Sequence, residues 1–293
     1  MTDTTISHIS PPSFDRGRDG TLFRNPDRQL PKRNLRAAVH HFRELLKDKE
    51  DTSHVFKIFE ALPSKRFIPY ARAFTLSAEG EEVRAREPYL PDILDDHAML
   101  RTMPAGSVAH AYCDFMEREG LTAAGLVAEG EKAWPGRPKF GDLIEWYGWR
   151  RRDTHDLLHV LTGYGRDAVG EQCVLAFTYG QNGGFAHLFI AYLGALNTKR
   201  AVRSSAPVLR AVRQAHTLGK GAPRICEASI RDLLAMPLTD ARAMLGVGDP
   251  THYRQCHEIW RQQGIDPYDL LNQQGLTASL PKPRAIRSSW QFG

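Results

Sequence analysis

The sequence predicts an all-α fold, because apolar residues recur at helical spacing, alternating strand patterns are almost absent, and capping and breaking residues separate the helical stretches. The chain has 293 residues, 42% of them hydrophobic, enough for a sizeable core. It contains no internal repeat and no long linker in its middle. We therefore expect a single helical domain over residues 31–275, between an N-terminal arm (residues 1–30) that we expect to be disordered and a loose C-terminal tail (residues 276–293).

The first two predicted helices lie at the start of this domain. Asn34 is placed to cap a helix whose apolar stripe covers residues 35–46, and Asp51 or Thr52 precedes a second amphipathic segment that ends at Pro63. We expect these two helices to pack antiparallel. Apolar periodicity predicts further helices over residues 67–76, 107–119, 139–161, 168–178, 186–196, 205–218, 229–236, 240–245 and 252–263.

The composition argues against several classes of protein. The formal net charge is +5, but no helix-turn-helix, zinc-finger or aromatic RNA-binding signature accompanies it, so we expect no nucleic-acid partner. The four cysteines are widely spaced, which indicates neither a disulfide scaffold nor a zinc ribbon. The longest apolar stretch, residues 185–196, is shorter than the ~20 residues that span a bilayer.

The strongest candidate for a functional site begins with two histidines. His155 and His159 are four positions apart, so on a helix both imidazoles project from the same face. Asp156 follows the first histidine directly, which keeps its carboxylate near the same edge. Little more than one helical turn therefore offers three metal-compatible side chains.

Glu171 is the fourth candidate ligand, although it follows His159 by twelve residues. On an unbroken helix this separation would be about 18 Å along the axis, too far to share one ion. The Gly-Tyr-Gly sequence at residues 163–165 predicts a break, and Asp167 can cap the next helix. Glu171 would then lie in the first turns of a returning helix that faces the histidines.

The donor set narrows the choice of metal without deciding it. Two imidazoles and two carboxylates suit zinc, iron(II), manganese or cobalt better than calcium. His155, His159 and Glu171 are the firmer ligands, whereas Asp156 is either a fourth ligand or a base beside the ion. The sequence therefore predicts one divalent metal site between two helices.

Two other classes of metalloenzyme fit this pattern less well. Phosphohydrolases with an adjacent His-Asp pair need a further upstream His and a downstream Asp, and neither His110 nor Asp167 has a suitable context. Metalloproteases with two histidines at this spacing carry Glu after the first histidine as general base, where this chain has the shorter Asp156.

His-Asp-x-x-His followed by eleven residues and Glu resembles the signature of the coenzyme Q biosynthesis protein 4 family. Residues 104–107, 152–154, 160–165 and 176–179 also look like bacterial members, and the resemblance covers about residues 30–275. It implies an all-helical fold, a divalent metal usually described as zinc, and an apolar groove or tunnel for a polyprenyl chain. Catalytic roles for His155, Asp156, His159 and Glu171 are implied in the same way.

The resemblance also implies a role in ubiquinone biosynthesis. The reaction implied is a metal-dependent oxidative decarboxylation at ring carbon C1 of polyprenylated hydroxybenzoate-derived intermediates, with zinc, or with iron or manganese if the ion is redox-active. The alternative is a non-catalytic lipid-binding scaffold that organises other ubiquinone biosynthesis enzymes. Because the N-terminus lacks a convincing transit peptide, we expect a protein of the bacterial cytoplasm, peripheral on the inner face of the membrane.

Three further residues are candidate substrate contacts: Arg152, Tyr164 and Tyr179. Arg152 ends a basic-aromatic stretch that could seat a substrate carboxylate, lie at a membrane interface or form pairs within its helix. The basic amphipathic residues 199–224 could contact an anionic membrane or form a solvated face. Dimerisation through apolar helices is a further expectation, which no specific residue supports.

Overall fold

The computed structural model describes residues 15–48 and 51–270, and over these ranges the chain is helical. The α-helices in chain order are α1 (Leu35–Lys47), α2 (Ser53–Ala61), α3 (Phe67–Thr75), α4 (Ala78–Arg86), α5 (Leu90–Leu94), α6 (His97–Leu100), α7 (Val108–Glu119), α8 (Ala123–Ala133), α9 (Leu143–Asp153), α10 (His155–Thr162), α11 (Ala168–Asn182), α12 (Phe185–Ala201), α13 (Val208–Gly221), α14 (Ile230–Ala235), α15 (Leu238–Met244) and α16 (Thr251–Gln262). The described ranges contain two isolated β-bridges and no strand. The predicted all-α class is confirmed.

The paired helices at the start of the domain agree with the prediction. The side chain of Asn34 accepts a hydrogen bond from the Ala37 amide at 3.0 Å and so caps α1. The Asn34 amide donates to the Ala61 carbonyl at 2.8 Å, which places the start of α1 beside the end of α2. The two helices therefore run antiparallel.

The structure also contains helices that the periodicity did not predict. These are α4, α5, α6 and α8. In α4 the only apolar side chain that is buried at an interior position is Val83, and α8 carries Gly125 and Gly130, so neither shows a clear apolar stripe. The helix predicted over residues 139–161 is divided into α9 and α10 at Thr154.

The core is organised around α11, which packs most extensively against α13 and α12. A side-chain carbon at Gly219 would lie 2.1 Å from the Phe177 carbonyl oxygen, and one at Gly180 would lie 2.5 Å from the His216 carbonyl oxygen. Only glycine allows the two backbones to come this close. The close approach of α11 and α13 thus depends on two residues without side chains.

A buried ion pair joins α9 to Glu87 at the end of α4, and both residues also bond to the segment around the start of α14. Arg150 Nη2 lies 2.7 Å from Glu87 Oε2, and the two side chains are 1% and 0% exposed. The Arg150 guanidinium also donates to the Cys226 and Ala228 carbonyls, while Glu87 accepts from the Ile230 amide. Arg150 therefore has a structural role at the base of the helix that leads into the candidate site.

The described part of the predicted N-terminal arm makes defined contacts. Leu22 accepts a hydrogen bond from the Leu143 amide at 2.9 Å, Phe23 is buried, and Arg28 forms a salt bridge of 2.6 Å with Asp142. Residues 15–28 thus differ from the expected disorder, because one buried aromatic ring and one ion pair attach them to the start of α9. Residues 1–14 and the predicted tail over residues 276–293 lie outside the described residues.

The apolar stretch predicted over residues 186–196 forms most of α12, which has 17 residues. His187 lies within it and packs its ring 4.5 Å from that of Phe59, between ring centroids. Across the described ranges, no helix combines the length and the hydropathy needed to cross a membrane.

Candidate metal centre

The two predicted histidine ligands project from one face of α10. His155 Nε2 and His159 Nε2 lie 3.4 Å apart, and a carboxylate oxygen of Asp156 lies within 4.8 Å of both rings' nitrogen donors. His159 and Asp156 are buried, while 28% of the His155 side chain is exposed. The centre is therefore closed on the core side and open to solvent beside His155.

The loop after α10 returns Glu171 to this pair, as the sequence predicts. Gly163 ends α10 in the left-handed region with φ 74°. The Asp167 side chain accepts from the Val169 and Gly170 amides at 3.1 and 3.2 Å and caps α11. Glu171, in the first turn of α11, therefore faces back towards α10.

Glu171 completes a small triangle of donor atoms with the two histidines. Its Oε2 lies 3.4 Å from His155 Nε2, and its Oε1 lies 3.5 Å from His159 Nε2. Ligands at about 2.0–2.1 Å from a tetrahedral zinc ion lie about 3.3–3.4 Å from one another. The three donors already have the mutual spacing that a shared ion requires, and Asp156 is near enough to serve as a fourth ligand or as a base.

The tautomer of neutral His159 is fixed from behind the centre. Its Nδ1 lies 3.0 Å from the Tyr164 carbonyl oxygen, which can only accept a hydrogen bond. The Nδ1 atom must therefore carry a proton, so the neutral form of the ring leaves its Nε2 lone pair free to bind an ion. This arrangement is typical of histidines that bind metals.

The charges of Glu171 and His159 are coupled. Burial raises the pKa of Glu171, but attraction to His159 and hydrogen bonds with both histidines outweigh it, so the pKa lies below its ordinary value. Burial lowers the pKa of His159, but attraction to Glu171 outweighs that effect and the net pKa is raised. In the absence of a metal, the Glu171 carboxylate therefore favours the protonated, positively charged form of His159.

A hydrogen-bond network that the sequence analysis missed supports the ligand loop. The Tyr253 hydroxyl donates to Asp167 Oδ2 at 2.5 Å and accepts from the Gly165 amide at 2.9 Å. His257 Nε2 lies 3.2 Å from the same Asp167 oxygen. Tyr253 and His257 are four residues apart on α16, and that spacing of a Tyr and a His within an amphipathic helix was the available signal.

The three predicted substrate contacts occupy different surroundings. Arg152 Nε pairs with Asp153 Oδ1 at 2.7 Å, one turn before His155. Tyr164 is 2% exposed and packs its ring edge-on against that of Tyr253. Tyr179 lies eight residues after Glu171, about 12 Å along α11, in a cleft beside His216. The structure thus groups the four candidate ligands, His155, Asp156, His159 and Glu171, but not these three residues.

A second group of metal-compatible side chains is formed by His97, Cys113 and Glu117. Arg101 Nη2 lies 2.8 Å from Glu117 Oε2 and already neutralises that carboxylate. Burial raises the pKa of the Cys113 thiol, so it stays protonated. The group beside α10 is therefore the better candidate for a metal ion.

Curated relatives share part of this chain. The ubiquinone biosynthesis protein COQ4 homolog of Rattus norvegicus is 28% identical over 180 residues, which is 60% of this chain and 64% of that protein. COQ4 homologs 2 and 1 of Culex quinquefasciatus are each 27% identical over 103 residues, 35% of this chain. The chain is similar to these COQ4 proteins over part of its length. The resemblance predicted from its His-Asp-x-x-His pattern is confirmed.

The extent of these matches is limited. The aligned region spans less than half the length of the two Culex COQ4 proteins, 43% and 36% respectively. No protein-family model matches the chain. A crystal structure of a Nostoc punctiforme protein, described as a candidate ubiquinone biosynthesis protein, aligns over 74% of this chain and all of that chain, with a TM-score of 0.49 and 17% identity.

Proposed function

We propose that this protein acts in ubiquinone biosynthesis as a metal-dependent enzyme that removes the C1 carboxyl group of a polyprenylated hydroxybenzoate-derived intermediate and installs a hydroxyl group there. The observation that carries the proposal is the triangle of His155, His159 and Glu171 donor atoms, 3.4–3.5 Å apart. The curated relatives, whose names assign them to ubiquinone biosynthesis, support the choice of pathway.

The openness of the centre favours a catalytic role over a purely structural one. A structural zinc site is usually closed by four protein ligands, whereas a catalytic site keeps a position open. Here His159 is wholly buried, but 28% of the His155 side chain and 35% of the Glu171 side chain are exposed. A substrate oxygen can approach from that side.

The chain's own residues would position the ion and the substrate proton. His155, His159 and Glu171 would hold the ion, with His159 kept in its donor tautomer by the Tyr164 carbonyl. When bound, the ion supplies a Lewis acid for a phenolic or carboxylate oxygen of the ring. Asp156, 8% exposed and adjacent to the donors, would take the phenolic proton as general base.

The overall change is oxidative and defines what the assay must contain. The ring carbon loses its carboxyl group as carbon dioxide and gains a hydroxyl group. If dioxygen provides that oxygen atom, its second atom leaves as water, with two electrons from an external donor. An assay therefore needs substrate, dioxygen and a reductant.

The proposal is tested by reconstitution. The protein is loaded anaerobically with zinc, iron(II) or manganese, exposed to oxygen with a reductant and a polyprenylated hydroxybenzoate, and the products are weighed by mass spectrometry. We expect loss of the carboxyl mass and gain of one oxygen, and loss of that product in His159→Ala. His40→Ala is the matched control, because His40 is exposed and remote in sequence on α1.

Two results would count against the enzyme. Substrate that binds but stays unchanged with every metal would favour the lipid-binding scaffold that organises partner enzymes. Equal turnover by wild type and His159→Ala would show that the metal centre does not take part in the reaction.

A further inference from the structure

A cleft of about 500 Å³ opens where the ends of α11 and α13 meet the start of α12. Its lining combines the linker between α2 and α3, represented by Ser64 and Arg66, with Gly183 and Gly184 of the α11–α12 turn. Side-chain carbons at these glycines would lie 3.1 Å from Arg66 and 3.3 Å from Ser64. Side chains at these two positions would crowd the linker and force it to shift by a few tenths of an ångström. The volume falls in the range of about 300–1,000 Å³ that is usual for small-molecule sites.

The charge of this cleft is entirely positive. Its lining contains Arg33, Lys65, Arg66 and Lys220 and no aspartate or glutamate. Among the described residues, none of these four cations forms a salt bridge, in contrast to Arg101, which pairs with Asp114. Four unpaired cations around one concave surface repel one another, so an anion placed among them is stabilised.

Two neutral features also point to an anion. The Nε2 atom of His216 is buried and has no hydrogen-bond partner, and its ring packs 4.8 Å from that of Tyr179 in the cleft lining. α12 begins at the cleft, where Gly184 provides no side-chain cap and the first turn contains no acidic residue. The free amides of that turn therefore contribute hydrogen-bond donors and the positive end of the helix dipole.

We infer that this cleft binds a phosphate group, as a phosphate ester or a diphosphate. A phosphate ester carries a charge of about −1.5 to −2 and three acceptor oxygens, which suits two guanidinium forks and two ammonium groups better than a single carboxylate does. The group can belong to a soluble phosphorylated molecule or to the headgroup of an anionic phospholipid. Phe185, 42% exposed at the mouth and 5.1 Å from the Arg33 guanidinium, provides an apolar surface next to it.

The phosphate cleft is separate from the metal centre. Tyr179 in the cleft and Glu171 at the metal centre lie about 12 Å apart along α11, and the two sites share no lining residue. The inference therefore stands independently of the proposed decarboxylation.

The test compares two triple variants that remove the same charges. The cleft variant carries Arg33→Gln, Arg66→Gln and Lys220→Gln. The control variant carries Arg200→Gln, Arg203→Gln and Lys199→Gln, three exposed cations near the end of α12 that do not line the cleft. Each is titrated calorimetrically with glycerol 3-phosphate and with inorganic pyrophosphate, and sedimented with phosphatidylcholine vesicles with and without phosphatidylglycerol. His159→Ala is titrated in parallel, which separates binding in the cleft from binding to a metal.

We expect the cleft variant to lose about tenfold or more in affinity, while the control variant and His159→Ala stay within about twofold of wild type. Saturable binding of the soluble phosphates would assign the cleft to a soluble ligand, and selective binding to phosphatidylglycerol vesicles alone would assign it to a lipid headgroup; either supports the inference. Absence of binding to both probes, equal losses in the two triple variants, or loss of binding in His159→Ala would overturn it.

Discussion

Tyr253→Phe is the most direct test of how the proposed metal ligands are held in place. The change removes one oxygen atom, which donates to Asp167 at 2.5 Å and accepts from the Gly165 amide at 2.9 Å. Asp167 caps the helix that carries Glu171, and Gly165 follows the carbonyl that fixes His159. A single hydroxyl thus supports both halves of the metal centre from outside it.

The size of the effect follows from those two bonds. A hydrogen bond to a charged group contributes about 1.5–3 kcal/mol and one between neutral groups about 0.5–1.5 kcal/mol. Two backbone amides still donate to Asp167, so its carboxylate keeps hydrogen-bond donors. We expect the free energy of unfolding to fall by about 2–4 kcal/mol and the metal affinity to fall by about 10- to 100-fold, as is usual when a residue behind the ligands is lost.

Urea denaturation of the metal-free protein and competition with a chromophoric chelator measure the two quantities. Tyr112→Phe is the matched control, because the Tyr112 hydroxyl is also buried but has no hydrogen-bond partner. Its removal should leave stability unchanged or slightly higher. If Tyr253→Phe behaves like this control in both assays, the network does not position the ligands.

Two further predictions concern charge. Metal affinity, measured by chelator competition from about pH 8.5 to 5.5, should fall as the pH drops through the pKa of His159, which lies above 6.5 because Glu171 outweighs burial. Glu171, whose pKa lies below 4.5, stays ionised in that window. The stability of the metal-free protein should show the opposite trend. The raised pKa of His159 stabilises the fold below pH 6.5, and that contribution is lost as the pH rises through the pKa of His159 in the folded protein. A flat pH profile in either assay would contradict the corresponding prediction. Arg150→Met should destabilise the protein by about 3–5 kcal/mol in urea, because Glu87 is left buried without its partner. A loss below about 1 kcal/mol would show that the ion pair is not needed.

Much of the candidate site could be predicted because its determinants are local. The His155 and His159 spacing, the glycine that ends α10 and the cap at Asp167 all lie within one short stretch, where helix geometry fixes the outcome. The same holds for α1, whose cap at Asn34 is visible in the sequence. Helices such as α4 and α8 escaped prediction because tertiary contacts rather than an apolar stripe stabilise them.

The parts that could not be predicted depend on contacts between distant segments. Tyr253 meets Asp167 across 86 residues of sequence, and Arg150 meets Glu87 across 63. The phosphate cleft likewise joins Arg33 with Lys220, which no local pattern relates. A sequence indicates which side chains can carry charge, but only the fold shows which of them share a surface.

The hydrogen bond between His159 and residue 164 has a consequence for how mutations affect this protein. Its acceptor is a main-chain carbonyl, so every amino acid at position 164 supplies the same oxygen atom. The path of the backbone therefore determines the tautomer of His159, and the side chain at position 164 does not affect it. The position sensitive to substitution is Gly163. Its φ of 74° sets the path of the backbone, and residues with a side chain rarely adopt that angle.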